Sequence, residues 1–175
     1  MNLHVVVVHY PIAFLTLYAI FELLRFRRLL VQPFWFYVKA ILVILGSLGA
    51  GAALITGKMA KELFSGVSSL EPVVSLHEKF AQATTIIFTV LAVSYLVVWL
   101  DRENFMSVFT SGGTLAKIWN FLGRCARLVV ETKLAIFLAF AGLICVTITG
   151  GLGGAMAFGP DADPFFRPIY NLLLK

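Results

Sequence analysis

The chain has 175 residues, of which 60% are hydrophobic and only 13% charged, and its mean hydropathy is +0.93. Such a composition excludes an ordinary soluble domain and predicts an integral membrane protein. The formal net charge is +5, but neither a nucleotide-binding glycine fingerprint nor a phosphate loop accompanies it. We therefore expect contact with a lipid bilayer and no nucleic-acid partner.

Four hydrophobic stretches are long enough to cross a hydrocarbon core of about 30 Å, for which a helix needs roughly 20 apolar residues. They lie at about residues 4–24, 34–56, 77–100 and 133–158. The predicted fold is an all-α, four-helix transmembrane bundle that forms one integral membrane domain, 1–175. The first stretch is expected to remain in the mature protein, because it lacks a basic leading region and a small-residue cleavage site.

The first span opens with "HVVVVHYP", which places His4 and His9 five residues apart. Five residues of helix separate two side chains by about 140° and roughly 7 Å, so they cannot both face one point. Pro11 leaves the carbonyl of Val7 without its usual partner, which predicts a bend or a frayed first turn. We expect the deeper His9 to face inward as a ligand and His4 to lie nearer the surface.

Glu22 is the acid of the first span and lies one turn before Arg25. We expect these two side chains to form a snorkelling ion pair at the inner interface, in preference to a proton-transfer role for Glu22.

Small residues form a stripe on the second span and another on the fourth. The stripes consist of Gly46, Ala50, Ala53 and Gly57, and of Gly142, Thr149, Gly153 and Ala157. Tight helix packing explains such stripes. Room for a flat prosthetic group explains them equally well, and the sequence leaves both explanations open.

His77 opens the third span, with Ala81, Thr84 and Phe88 following on the same face. His9 and His77, on two spans at similar depth, have the arrangement that a bis-histidine b-type haem (haem b) needs. Two alternatives stay open. The histidines would serve as structural hydrogen-bonding groups, or they would support other metal or proton chemistry. A zinc site needs three or four protein ligands, and His4 would join the other two only if the first helix begins irregularly.

The segment between the third and fourth spans has an amphipathic pattern. Its apolar residues at helical spacing are Leu115, Ile118, Trp119, Leu122, Ala126 and Val129, and its interleaved basic residues are Lys117, Arg124 and Arg127. This pattern predicts an amphipathic helix on the inner membrane surface. A docking surface for a partner subunit would use the same residues.

Lysine and arginine are concentrated after the first span and between the third and fourth, which predicts that these two segments are cytoplasmic. Both termini, and the three histidines, then lie on the extracytoplasmic side of a bacterial inner membrane. Asp161 and Asp163 lie on that side, where they would form a solvated turn or bind a cation. Cys125 and Cys145 are expected to be packing residues.

Four motifs resemble, in the same order, those of the bacterial four-helix membrane proteins called domain-of-unknown-function family 2231. They are "LHVVVVHYPIAFLTLYAIFELL", "GAGAALITGK", "LHEKFAQATTIIF" and "GGLGGAMAFG", and the resemblance covers nearly the whole chain except the amphipathic segment and the tail. It implies a four-helix fold with a histidine-bearing outer end, and it marks His4, His9, His77 and the acidic position Glu22.

Members of that family often carry a further acid and a histidine after the glycine-rich motif of the fourth helix. The corresponding positions here are Ala155 and about Pro160, so a second metal or haem site is not expected. The resemblance also implies a link to electron transfer, since such domains occur fused to cytochrome-like modules.

The leading hypothesis is a small membrane electron-transfer protein or cytochrome-b-like subunit, with one haem near the extracytoplasmic face held by His9 and His77. It would pass electrons between a quinone or intramembrane partner and an extracytoplasmic acceptor such as cytochrome c. Lys58, Lys79 or Arg167 would pair with the haem propionates.

The alternative hypothesis is a cofactor-free accessory subunit of a larger respiratory or photosynthetic complex, or a homo-oligomer. No independent catalytic activity is expected in either case. A transporter or metal-handling protein is a weaker possibility, because few polar residues line the spans and no inverted repeat is evident.

Overall fold

The computed structural model describes residues 3–24, 27–61, 71–105, 113–159, 164 and 167–174. These residues form seven helices and no β-strand: α1 (Leu3–Leu23), α2 (Arg27–Leu30), α3 (Pro33–Lys61), α4 (Glu71–Arg102), α5 (Thr114–Glu131), α6 (Lys133–Phe158) and α7 (Arg167–Leu174). Four of them, α1, α3, α4 and α6, are long and apolar enough to cross a membrane. The predicted all-α, four-helix bundle is therefore confirmed.

The four long helices form a closed ring, in which α1 packs on α3, α3 on α4, α4 on α6, and α6 on α1. One end of the ring contains the start of α1, the end of α3, the start of α4 and the end of α6. We call it the histidine end, because His4 and His77 lie there. The opposite end, which contains Glu22, is called the glutamate end.

The centre of the bundle is apolar and fully buried. Its largest side chains are Leu15, Tyr18, Val43, Phe88, Leu91 and Tyr95. Many other large apolar side chains point outward on the long helices, among them Leu48, Ile55, Ile86 and Phe137. An apolar outer surface of this kind suits contact with lipid tails, which offer no hydrogen-bonding partners.

Glycines allow close approach of the long helices. A Cβ atom at Gly46 would lie 2.5 Å from Leu15 Cδ2, and one at Gly142 would lie 2.7 Å from Phe88 Cζ. Neighbouring side chains thus already occupy the small-residue stripes at these two positions, in support of the tight-packing explanation.

Pro11 lies inside α1 without interrupting it, so the predicted frayed first turn is absent from this helix. A Cβ atom at Gly49 of α3 would lie 3.1 Å from Pro11 Cδ. The proline ring is therefore packed in the α1–α3 interface, where it fills space that a larger residue at position 49 would occupy.

The predicted amphipathic segment forms α5, which packs on α4 and α6 and is linked to α4 by an ion pair between Arg127 and Asp101. A row of its large apolar side chains is exposed, namely Leu115, Ile118, Phe121, Leu122 and Leu128. We call this set the α5 apolar row. Trp119 and Ala126, expected on the same face, instead turn partly or fully toward the bundle.

A single residue, Thr132, joins α5 to α6. Its Oγ1 accepts a hydrogen bond of 3.1 Å from the backbone N–H of Leu134 and so caps the start of α6. At the histidine end, Tyr170 and Leu174 of α7 pack against the buried Val73 and Leu152.

Candidate functional site

One face of α1 carries the residues that point into the bundle. His4, Pro11, Leu15 and Glu22 lie on it, and the step of eighteen residues from His4 to Glu22 makes about five full turns. His9 is rotated by about 140° from His4 around the helix axis. This rotation decides which of the two imidazoles can take part in an internal site.

His9 is exposed on the outer surface of α1, and its Nδ1 lies 2.6 Å from the carbonyl oxygen of Val5. The prediction that His9 faces inward is therefore wrong, while His4 does lie nearer the start of α1. Depth along the chain suggested His9, but α1 is an uninterrupted helix, and the direction of a side chain around its axis determines what it faces.

His4 is half-buried between α1 and α3. Its Nδ1 lies 3.0 Å from Thr56 Oγ1, and a Cβ atom at Gly57 would lie 3.1 Å from its Cε1. The Thr56 hydroxyl is also within hydrogen-bonding distance of the carbonyls of Ala52 and Ala53, at 3.1 and 3.2 Å. When this hydroxyl donates to one of these carbonyls it accepts from His4 Nδ1–H, and in the other tautomer of the ring it donates to Nδ1.

His77 has the equivalent position between α4 and α6. Its Nδ1–H donates to the carbonyl oxygen of Thr149 at 3.0 Å, and a Cβ atom at Gly153 would lie 3.5 Å from its Cε1. Because a carbonyl can only accept, the neutral ring carries its proton on Nδ1. The two inward histidines thus share a hydrogen-bonded Nδ1 and the same kind of glycine neighbour.

The two inward imidazoles are contributed by opposite helix pairs at the same end of the bundle. They are close enough to interact electrostatically. An ion pair of 2.7 Å between Lys61 and Glu78 joins the end of α3 to the start of α4 beside them. The histidine end is therefore a polar cluster built from all four long helices.

The family described as "Predicted membrane protein (DUF2231)" matches residues 1–161. The chain belongs to the DUF2231 family. The predicted family is thereby confirmed, and the matched range contains all four long helices of this multi-pass DUF2231 protein. Neither the curated proteins nor the solved structures contain a match to it.

A metal site of three or more protein ligands is not assembled in the described parts of this DUF2231 protein, where no such group of His, Cys, Asp and Glu occurs. The three-histidine zinc site considered for His4, His9 and His77 is not formed, because His9 faces outward. Asp161 and Asp163, considered for a cation, lie outside the described residues, as does Pro160. Ala155 is half-buried on α6 and offers no ligand atom.

Axial ligation of a haem differs from a metal site of three or more ligands, because it needs only two imidazoles, which must face each other across the bundle. His4 and His77 are the candidates for it: each ring lies in a helix–helix interface at the histidine end and is held by a hydrogen bond at Nδ1. His9 does not fit it. Lys58 and Lys79 are exposed near this end.

A second polar cluster, at the glutamate end, is one that the sequence reasoning missed. Oε2 of Glu22 accepts hydrogen bonds from Lys39 Nζ at 2.7 Å and from the Tyr95 hydroxyl at 2.8 Å. Glu22 is only 2% exposed and pairs with Lys39, whereas Arg25, its expected partner at the inner interface, lies outside the described residues. The sequence feature that could have indicated this cluster was Lys39, the charged residue of the second predicted span.

Proposed function

We propose that this protein is a small membrane electron-transfer subunit in which His4 and His77 hold one b-type haem at the histidine end. The observation that carries the proposal is the matched pair of inward imidazoles, one from each side of the bundle. Each is oriented by a hydrogen bond from Nδ1 to a threonine of the neighbouring helix.

The Nδ1-protonated tautomer, which the Thr149 carbonyl favours for His77 and which Thr56 can accept from His4, has an unprotonated Nε2, the form of imidazole that ligates a haem iron. A bound haem supplies one-electron chemistry, and the protein controls its potential through ligation, burial and nearby charge. In this chain Thr56 and Thr149 orient the ligands, the apolar bundle excludes water, and Lys58 and Lys79 would pair with the propionates. Arg167, also considered for that role, begins α7.

The proposed partners are a quinone or another intramembrane protein on one side and an extracytoplasmic acceptor such as cytochrome c on the other. The proposed location is a bacterial inner membrane with both termini outside. The charge distribution supports this orientation, since exposed Arg28, Arg102, Lys117 and Arg124 all belong to the glutamate end or to α5.

A reduced-minus-oxidised visible spectrum of the purified protein tests the haem site. We expect a b-type band that is lost in His4→Ala and in His77→Ala and retained in His9→Ala, which serves as the matched control. The absence of any band from protein prepared in a mild, non-stripping detergent would contradict the proposal. A band lost in His9→Ala but kept in His4→Ala would contradict the assignment of ligands.

A cofactor-free accessory subunit is the second candidate function. It is supported by the close packing at Gly46 and Gly142, where side chains rather than an open slot face the glycines. The exposed α5 apolar row offers a surface for a partner. Purification without haem but with stoichiometric partner proteins would favour this function.

A further inference from the structure

Ionisable side chains form a second buried group far from the histidines. Glu22 and His4 are eighteen residues apart on α1, or about 27 Å along the helix axis. Glu22 is 2% exposed, Lys39 is 9% exposed, and Tyr95 is fully buried. The proposed haem site makes no use of these three groups, and their position calls for a separate explanation.

Stability alone does not account for a buried ion pair. Removing two charges from water costs about as much as their attraction returns, and well-packed apolar residues of similar size are often as stable or more so. Ionisable groups within membrane spans more commonly mark a functional site. The hydrogen bonding of this pair indicates what kind of site it is.

Both hydrogen bonds to Glu22 end on Oε2, and Oε1 accepts none from the described residues. Beside it, the Tyr18 hydroxyl is fully buried and makes no hydrogen bond of ordinary length in the described part of the chain, and its polar neighbour is the Tyr95 hydroxyl. Tyr18 lies one turn from Glu22 on the same face of α1, next to Tyr95, with ring centroids 5.7 Å apart. An acceptor and a buried hydroxyl therefore lie together in the core.

The groups around Glu22 come from each helix packed against this region. On α1 the nearby titratable group is Tyr18, on α3 it is Lys39, and on α4 it is Tyr95, while α6 contributes buried alanines. The unpartnered Nε1–H of Trp35 lies one turn before Lys39 on α3. Arg102 is farther away, beyond the ring of Phe36.

We propose that Glu22 is an intramembrane proton-binding site that exchanges with the aqueous phase at the glutamate end. A hydronium ion gives its proton to Oε1, where an O–H bond forms and a water molecule is released, and no electrons move. Oε2 keeps its bonds to the Lys39 ammonium and to Tyr95, and proton binding therefore weakens the buried pair because that ammonium loses its counter-charge. The new O–H donates to the Tyr18 oxygen, and Glu22 lies one residue before the end of α1.

Infrared difference spectroscopy of the protein in lipid bilayers tests this proposal, whether or not haem is bound. On acidification we expect a carboxylic acid C=O band that shifts down in deuterium oxide and is lost in Glu22→Gln. Glu78→Gln is the matched control, because Glu78 also pairs with a lysine at 2.7 Å, but in a partly exposed setting. That variant should keep the band.

A Tyr18→Phe variant tests the geometry and remains informative if Glu22→Gln does not fold. It removes the acceptor for the new O–H and should shift the frequency of the band, whereas Tyr37→Phe, on the surface of the same end, should not. The proposal is overturned if wild-type protein and Glu22→Gln give the same carboxylic acid bands throughout the pH range in which both stay folded. An unchanged band in Tyr18→Phe would also overturn it.

Discussion

Lys39 Nζ lies 2.7 Å from Glu22 Oε2, and both side chains are buried between α1 and α3. The Tyr95 hydroxyl adds a contact from α4 to the same carboxylate oxygen. Three of the four long helices are thus joined at one atom. The effect of a mutation on stability should depend on whether it removes one charge of the Glu22–Lys39 pair or both.

Lys39→Met should be strongly destabilising, because it leaves the Glu22 carboxylate buried without its cation. Losing one partner of a buried pair costs about 3–5 kcal/mol, whereas removing both charges is often close to neutral. We therefore expect the double variant Glu22→Gln/Lys39→Met to be more stable than Lys39→Met. Unfolding in detergent by heat or by sodium dodecyl sulfate measures this difference.

The exposed pair of Lys61 and Glu78 provides the control for this measurement. Lys61→Met should cost only about 0–1 kcal/mol, as is usual for a solvent-exposed ion pair. A cost at Lys61 equal to that at Lys39 would show that burial does not control the energetics of either pair.

Gly142→Ala should destabilise the bundle by about 1–3 kcal/mol, the usual cost of adding a methyl group to a filled core. The added Cβ would lie 2.7 Å from Cζ of the fully buried Phe88, which has little room to move. Gly154→Ala is the matched control on the same helix, since nothing lies within 4 Å of its added Cβ. Comparable unfolding transitions for the two variants would refute the close α4–α6 contact.

Thr56→Val should weaken haem binding by about 10–100-fold, the usual effect of losing the outer hydrogen bond of a ligating histidine. The variant keeps the shape of the side chain but removes the hydroxyl that is hydrogen-bonded to His4 Nδ1. Haem titration of the apoprotein measures the affinity. Thr147→Val is the control, because that hydroxyl is exposed and bonds only to its own helix at Leu143; equal losses would exclude a specific role for Thr56.

A nitroxide label at Cys125 should report a lipid environment. Cys125 is exposed on α5, close to the α5 apolar row, which the amphipathic pattern places in the membrane interface. In a Cys145→Ala background, we expect the label to collide more with oxygen than with a water-soluble nickel complex. A label at Asn120, exposed on the polar side of α5, should show the opposite preference, and identical behaviour at both sites would contradict an interfacial α5.

Hydropathy was sufficient to predict the four long helices, since a membrane requires long apolar segments and a helix satisfies its own backbone. It did not predict their full length. α3 continues to Lys61 and α4 begins at Glu71, because charged turns extend both helices past the hydrophobic stretch. A hydrophobic stretch ends at the first charged residues, whereas the backbone hydrogen bonds of the helix continue past them.

The sequence indicates depth along a helix more readily than direction around it, and the placement of the histidines shows the difference. His77 was assigned correctly to the bundle interior, but His4, not His9, shares a face with Leu15 and Glu22. The partner of Glu22 was missed for a related reason. Sequence spacing favours a neighbour on the same helix, whereas Lys39 approaches from a different helix.

His4 and Glu22 occupy one face of α1 because about five whole turns separate them. A single residue inserted or deleted between them would rotate one relative to the other by about 100°, and it would leave either the histidine or the carboxylate facing lipid. Substitutions on the outer face of α1 would have no such effect. The length of this segment, rather than the identity of most of its residues, is therefore the property that evolution or a protein engineer would have to preserve.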